Sequence, residues 1–131
     1  MRRDRAIPMA RRPPGEAEEL PSEVVRAAEL TLDRKAEQVV ALDLRGISTA
    51  TDYFVLATGN SDIQVRAIAE HVVEELSRAG IRPLHVEGLD KGRWVLLDFV
   101  DFVVHVFHPL AREFYQLELL WGDAPTRIFA P

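Results

Sequence analysis

Residues 53–80, YFVLATGNSDIQVRAIAEHVVEELSRAG, read as a strand, a turn and an amphipathic helix. Tyr53 to Thr58 is a near-continuous apolar run of strand length, which marks a strand covered on both faces. Ser61 to Gln64 has the spacing of a capping box, in which the first side chain and the last satisfy free N–H groups at a helix start. Val65, Ile68, Val72, Leu76 and Ala79 then fall on one helical face, and Gly80 closes the helix.

Upstream, Val39 to Leu44 is a second apolar strand, separated from the first by the polar loop RGISTATD. Ser22 follows Pro21 and precedes Glu23, the pattern of an N-cap with an acidic first turn, and Val24, Val25, Ala28 and Leu32 give a helix to about Asp33. Downstream, Pro83 leads into a short strand around Leu84 to Glu87, and GLDKGR turns the chain into a hairpin of Trp94 to Asp98 and Phe102 to Phe107. Phe99 and Val100 lack the Gly or Asn that a two-residue turn prefers, so a longer loop or a bulge is expected. Pro109 suits a first helical turn, and Leu110, Phe114, Leu117 and Trp121 place a closing amphipathic helix after the sheet, with Trp121 in the core. The order predicts an α/β fold: a two-layer or sandwich domain with a mixed five-stranded sheet and flanking helices. If the strands flanking the long helix are parallel, their crossover should be right-handed.

The chain has 131 residues, enough for one domain with a real core. Residues 1–21, MRRDRAIPMARRPPGEAEELP, combine charge blocks with four prolines and no apolar period, so they are expected to form a disordered arm, with the α/β domain spanning 22–131. The arm reads as a solvated tail, as residues upstream of an alternative start at Met9, or as a nucleic-acid-contacting tail. Within residues 1–14 five arginines face only Asp4, so the net charge of −5 divides into +4 there and −9 in the remainder. An acidic body is repelled by phosphate and attracted to basic protein surfaces, so direct nucleic-acid binding by the core is disfavoured. The absence of cysteine removes disulfides, thiolate ligands and a thiol nucleophile. No apolar run approaches the roughly 20 residues of a membrane span, and a soluble cytoplasmic protein is expected.

The hairpin carries most of the chemistry-bearing side chains. The period of two puts Trp94, Leu96 and Asp98 on one face of its first strand, and Asp101, Val103, His105 and Phe107 together on its second. Asp98, Asp101, His105 and His108 are suitable metal donors, but His105 and His108 point to opposite faces of a continuous strand, so structural or surface roles are favoured and no metal is expected. Gly59, Asn60 and Ser61 before a helix have the form of an anion-binding turn, and equally that of any serine-capped strand-to-helix turn. A residual nucleotidyltransferase would use Gly59, Ser61 and a hairpin carboxylate holding Mg²⁺. That reading stands as the alternative to an interaction protein, for no catalytic motif, cofactor fingerprint or paired-carboxylate spacing is present and an enzyme is not expected. Trp94, at a strand start beside a polar turn, has the character of an interface anchor.

The blocks KAEQVVALDL (35–44), STATDYFVLATGNSDIQVRAIAEHV (48–72), VEGLDKGRWVLLDFVDFVVHVFH (86–108) and REFYQLELLWGDAP (112–125) resemble the ribosomal silencing factor, or Iojap, family in order and spacing. Two positions depart: Gln38 stands where an aspartate is common, and Val100 where many members carry glycine. The resemblance implies a factor that binds the large ribosomal subunit through ribosomal protein L-fourteen. By blocking the small subunit from joining, it would damp translation during starvation. It also implies a nucleotidyltransferase-type core lacking the catalytic pattern, homodimers when free, no cofactor, and a contact surface of Trp94, Leu96, Asp98 and Asp101.

Overall fold

The strand, turn and helix of residues 53–80 form as their pattern dictates. The computed structural model of the chain describes residues 19–115 and 122–131. Strand β2 (Tyr53–Thr58) lies inside the sheet with all but Phe54 buried, and α2 (Asp62–Arg78) buries Val65, Ile68, Ala69, Val72 and Leu76. Ala79 is the exposed C-cap rather than part of the buried stripe, and Gly80 follows with φ +84°. Ser61 accepts from the Gln64 N–H at 3.1 Å, whereas Gln64 reaches back to the N–H of Asn60, one residue earlier than a standard box.

Helix α1 (Ser22–Asp33) has the expected span, but its N-cap is Pro21 and no side chain caps it. The Pro21 carbonyl accepts from Val24 and Val25, so Ser22 is drawn into the helix and its hydroxyl does not serve as the cap. Strand β1 (Glu37–Asp43) begins two residues earlier than Val39, through an irregularity at Gln38, whose φ is +50°. Strands β3 (His85–Glu87), β4 (Trp94–Asp98) and β5 (Phe102–Phe107) lie where expected. They are followed by α3 (Pro109–Tyr115) and β6 (Thr126–Ala130).

The sheet is mixed and has six strands in the order β3-β4-β5-β2-β1-β6, against the five expected. The extra strand, β6, pairs antiparallel with β1 and covers an edge that would otherwise show unpaired backbone. Its run TRIFA, bounded by Pro125 and Pro131, is short and lies beyond the expected closing helix, so it has no place in a five-stranded order. Strands β2 and β5 are parallel, and two antiparallel steps through β4 make β3 parallel to both. The connection β2–α2–β3 is therefore a parallel crossover that passes over two strands.

Helices α1 and α2 pack on one sheet face, over Val39, Ala41, Val55, Ala57, Val95, Leu97, Val104 and Val106. Leu42, Leu56 and Phe107 form a smaller cluster on the opposite face, with Trp94, Phe54 and Ala111 against it. Among the described residues, α3 is the one helix packed there. Leu110 is 67 % exposed, so it is not on the buried stripe of the closing helix; α3 instead turns Ala111 and Arg112 inward. The expected places of Leu117 and Trp121, and the side chain of Phe114, lie outside the described residues.

Candidate functional site

The second sheet face brings Trp94 and His105 together. Trp94 pairs with Phe107, and Leu96 with His105, in the antiparallel β4–β5 ladder. Gly88 permits this start of β4: its φ is +83°, and a Cβ there would lie 2.0 Å from the Trp94 carbonyl oxygen. Across the ladder the Trp94 indole N–H donates to Nδ1 of His105 at 3.0 Å and its ring stacks on Phe107. His105 also meets the Phe54 ring edge-on, with centroids 4.5 Å apart.

His105 is 4 % exposed, and burial lowers its pKa to about 4. It is therefore neutral at pH 7, with Nδ1 accepting and the proton on Nε2, which has no hydrogen-bond partner among the described residues. The ring works as a fixed acceptor: it sets the orientation of an indole that remains half-exposed. Leu96 and Asp98 continue the row from Trp94, both half-exposed, and Phe54 flanks it on β2. The face thus offers one oriented aromatic, a leucine and a carboxylate along one strand, the mixed character of an interface anchor.

Asp98 and Asp101 serve the turn as well. The Asp98 carboxylate accepts from the N–H of Val100 at 2.8 Å, and the Asp101 N–H reaches the Phe99 carbonyl at 3.0 Å. Strand β5 begins only at Phe102, so Asp101 lies in a three-residue loop rather than on the face with Val103 and His105. Val100 carries φ +78°, with the hydrogen bond across it characteristic of a tight γ-turn. Its carbonyl accepts from Thr51, and the Asp101 carbonyl from the N–H of Asp52, so the loop is tied to the start of β2.

The nucleotidyltransferase arrangement does not assemble. Gly59 and Ser61 follow the C-terminal end of β2, level with Phe107, whereas Asp98 and Asp101 lie at the other end of the sheet beside Val103 and Asp52. Five residues of strand separate the two ends, roughly 17 Å. Three N–H groups of the turn and helix start are also occupied: Gly59 donates to Phe107, Asn60 to Gln64, and Ile63 to the Asp62 side chain. Gly59 also sits close against the helix, since a Cβ there would lie 3.0 Å from Val65 and crowd it. His105 and His108 are likewise committed: His108 Nδ1 accepts from Leu110 at 3.3 Å, capping α3.

Two buried clusters escaped the sequence reading. Arg112, 7 % exposed, donates to the Gln38 carbonyl at 2.7 Å and to the Thr58 hydroxyl at 2.9 Å, clamping α3 to β1 and β2. Asp43, 4 % exposed, holds Arg45 through both oxygens at 3.0 and 2.8 Å, which raises the guanidinium pKa still further. Only the Asp-x-Arg spacing of the second was visible in sequence. His71, Glu74 and Glu75 on α2 place metal-capable atoms within 4.8 Å of one another, but Arg78 sits 3.8 Å from both glutamates and His71 is paired with Asp33. No described helix is long and apolar enough to cross a membrane.

Comparison with known proteins places this architecture. The family model for "Ribosomal silencing factor during starvation" matches residues 16–130. The ribosomal silencing factor RsfS of Bacillus subtilis is 52% identical over 93 residues, 71% of this chain and 79% of that protein. A mouse protein named for mitochondrial assembly of the ribosomal large subunit is 28% identical over 117 residues, covering 86% of this chain and 51% of its own length. A crystal structure from Bacillus halodurans superposes with TM-score 0.71 at 44% identity, covering 82% of this chain and 98% of that one. The chain belongs to the RsfS family of ribosomal silencing factors.

Proposed function

We propose that the chain binds the large ribosomal subunit through ribosomal protein L-fourteen and thereby blocks the small subunit from joining, repressing translation when nutrients are scarce. The observation that carries this reading is the half-exposed Trp94 indole, fixed by His105 on the sheet face opposite α1 and α2. A preoriented aromatic loses little freedom on binding, which is what concentrates affinity at a hot spot. Leu96 and Asp98 extend the contact along β4, with Asp101 at its far end. The net charge of −9 outside the first 14 residues suits a basic ribosomal protein. Family membership and the naming of the mouse relative for large-subunit assembly support the same partner.

In this reading the protein is cytoplasmic, pairs with itself when free, and acts without catalysis. Its core resembles a nucleotidyltransferase-type fold without that superfamily's catalytic pattern, and the working unit is the domain of residues 22–131, with 1–21 as an arm. Sedimentation of purified subunits tests the activity: adding the protein should shift joined ribosomes to free subunits. Trp94→Ala should weaken binding to L-fourteen by about 2 kcal/mol, some 30-fold, and restore joining. Full anti-association activity with unchanged affinity in that variant would remove Trp94 from the site.

A further inference from the structure

The helical layer stops short of one edge of the sheet. Helix α1 lies over β1 and β2, and α2 over β4 and β5, while β3 lies beyond them. The step leaves a groove of about 370 Å³ lined by Val73, Val86, Leu89 and Leu97, with Glu70 and Glu74 at its side. Val86 is 39 % exposed there, and Leu84, just before β3, is 75 % exposed. Among the described residues β3 pairs only with β4, so its outer backbone edge can accept an added strand. The rim is acidic and weakly compensated. Glu74 meets Arg78 only at 3.8 Å, Glu70 has no ion pair among the described residues, and no described lysine or arginine lines the groove.

We propose that the β3 edge and its groove dock an extended basic segment of a partner protein, which adds to the sheet as a further strand. A residue of that strand opposite Val86 shares the sheet face of Val86 and enters the groove, where a leucine-sized side chain meets Val73 and Leu89. The positions two before and two after point the same way. Lysine or arginine there reaches Glu70 and Glu74, which stand one helical turn apart on α2. The docked pattern is therefore basic, any, apolar, any, basic. Charge selects this occupant over a second copy of the chain. Two copies joined edge to edge would bring Glu70, Glu74 and Glu87 of both to one interface, which like-charge repulsion opposes. The groove opens on the helical side of the sheet, away from the Trp94 face, and stands whether or not that face binds the ribosome.

The probe is a capped heptapeptide of that pattern, Ser-Arg-Thr-Leu-Thr-Arg-Ser, titrated to about 1 mM into the isotope-labelled full chain and followed by amide chemical shifts. Saturable shifts are expected at Val73, Val86, Glu87 and Leu89, with the Trp94 indole N–H unmoved. Replacing the peptide's leucine by serine should weaken binding at least about tenfold, because apolar burial is lost while the charge is kept. N-methylating the leucine and both threonines, which blocks ladder pairing, should weaken it by about as much. Glu70→Gln with Glu74→Gln should weaken it about fivefold, and the dispersed spectrum of that variant establishes that it is folded. A serine or N-methylated peptide that binds as tightly as the parent would overturn the proposal, as would indifference to the two glutamate substitutions. So would the lack of saturable binding, or largest shifts at Trp94. Shifts at Val86 and Glu87 that follow protein concentration without peptide would assign the edge to a second copy and overturn it as well.

Discussion

A valine at φ +78° is held in a conformation that its branched Cβ opposes. Three hydrogen bonds around Val100 enforce it: Asp98 to its N–H, Thr51 to its carbonyl, and the Asp101 N–H to Phe99. The side chain is 56 % exposed and contributes little packing in exchange. Val100→Gly should therefore stabilise the protein by about 1 kcal/mol, since the relieved left-handed penalty exceeds glycine's added chain entropy. A urea midpoint that moves down instead would show that the turn is unstrained. The oddity of this loop was legible, because a turn without Gly or Asn is visible in sequence; the γ-turn that resolves it was not. His105 permits a second test. Its folded pKa of about 4 lies below the ordinary 6.5, so the unfolded chain takes up the proton first as pH falls. The stabilisation is complete above pH 6.5 and is lost between 6.5 and 4, on the order of 3 kcal/mol. His105→Gln should flatten that part of the stability profile relative to the native chain. An equally steep loss in the variant would place the effect on other groups.

Element by element, the periodic segments were readable and the long-range partners were not. Period two assigned Trp94, Leu96 and Asp98 to one face correctly, but the Trp94–His105 bond depends on hairpin register, which the three-residue loop sets. β6 is fixed by the edge it covers, so its short run acquires meaning only beside β1. Arg112 shows the limit most plainly. In sequence it is one more arginine on a polar-looking helix start, and in the fold it joins α3 to the Gln38 carbonyl and Thr58, 74 and 54 residues away. Removing a charged donor from a buried acceptor leaves that acceptor unsatisfied. Arg112→Ala should cost about 3 kcal/mol in chemical denaturation. Thr58→Val, which leaves the Gln38 contact in place, should cost less than half of that. Equal losses would show that the hydroxyl, and not the carbonyl clamp, is the dominant contact.

At the scale of the molecule, charge and shape act on different steps of the proposed encounter. Most of the negative charge lies outside the first 14 residues, where the net is −9, while the anchor is a single oriented indole. Long-range attraction governs how often a basic partner arrives in register, and it is screened over about 10 Å at 0.1 M salt. The desolvated aromatic contact governs how long the complex lasts, and salt screens it little. The two contributions are therefore separable in one kinetic experiment on purified L-fourteen. Raising salt from 50 to 300 mM should lower the association rate about tenfold and leave dissociation nearly unchanged. Trp94→Ala should do the reverse, speeding dissociation some 30-fold with a nearly unchanged association rate, because it removes no charge. If salt acted chiefly on dissociation, the carboxylate of Asp98 would be a buried ionic contact rather than part of a steering field. Asp98→Asn would then have to reproduce most of the salt effect, although the turn at Val100 keeps an acceptor in that variant.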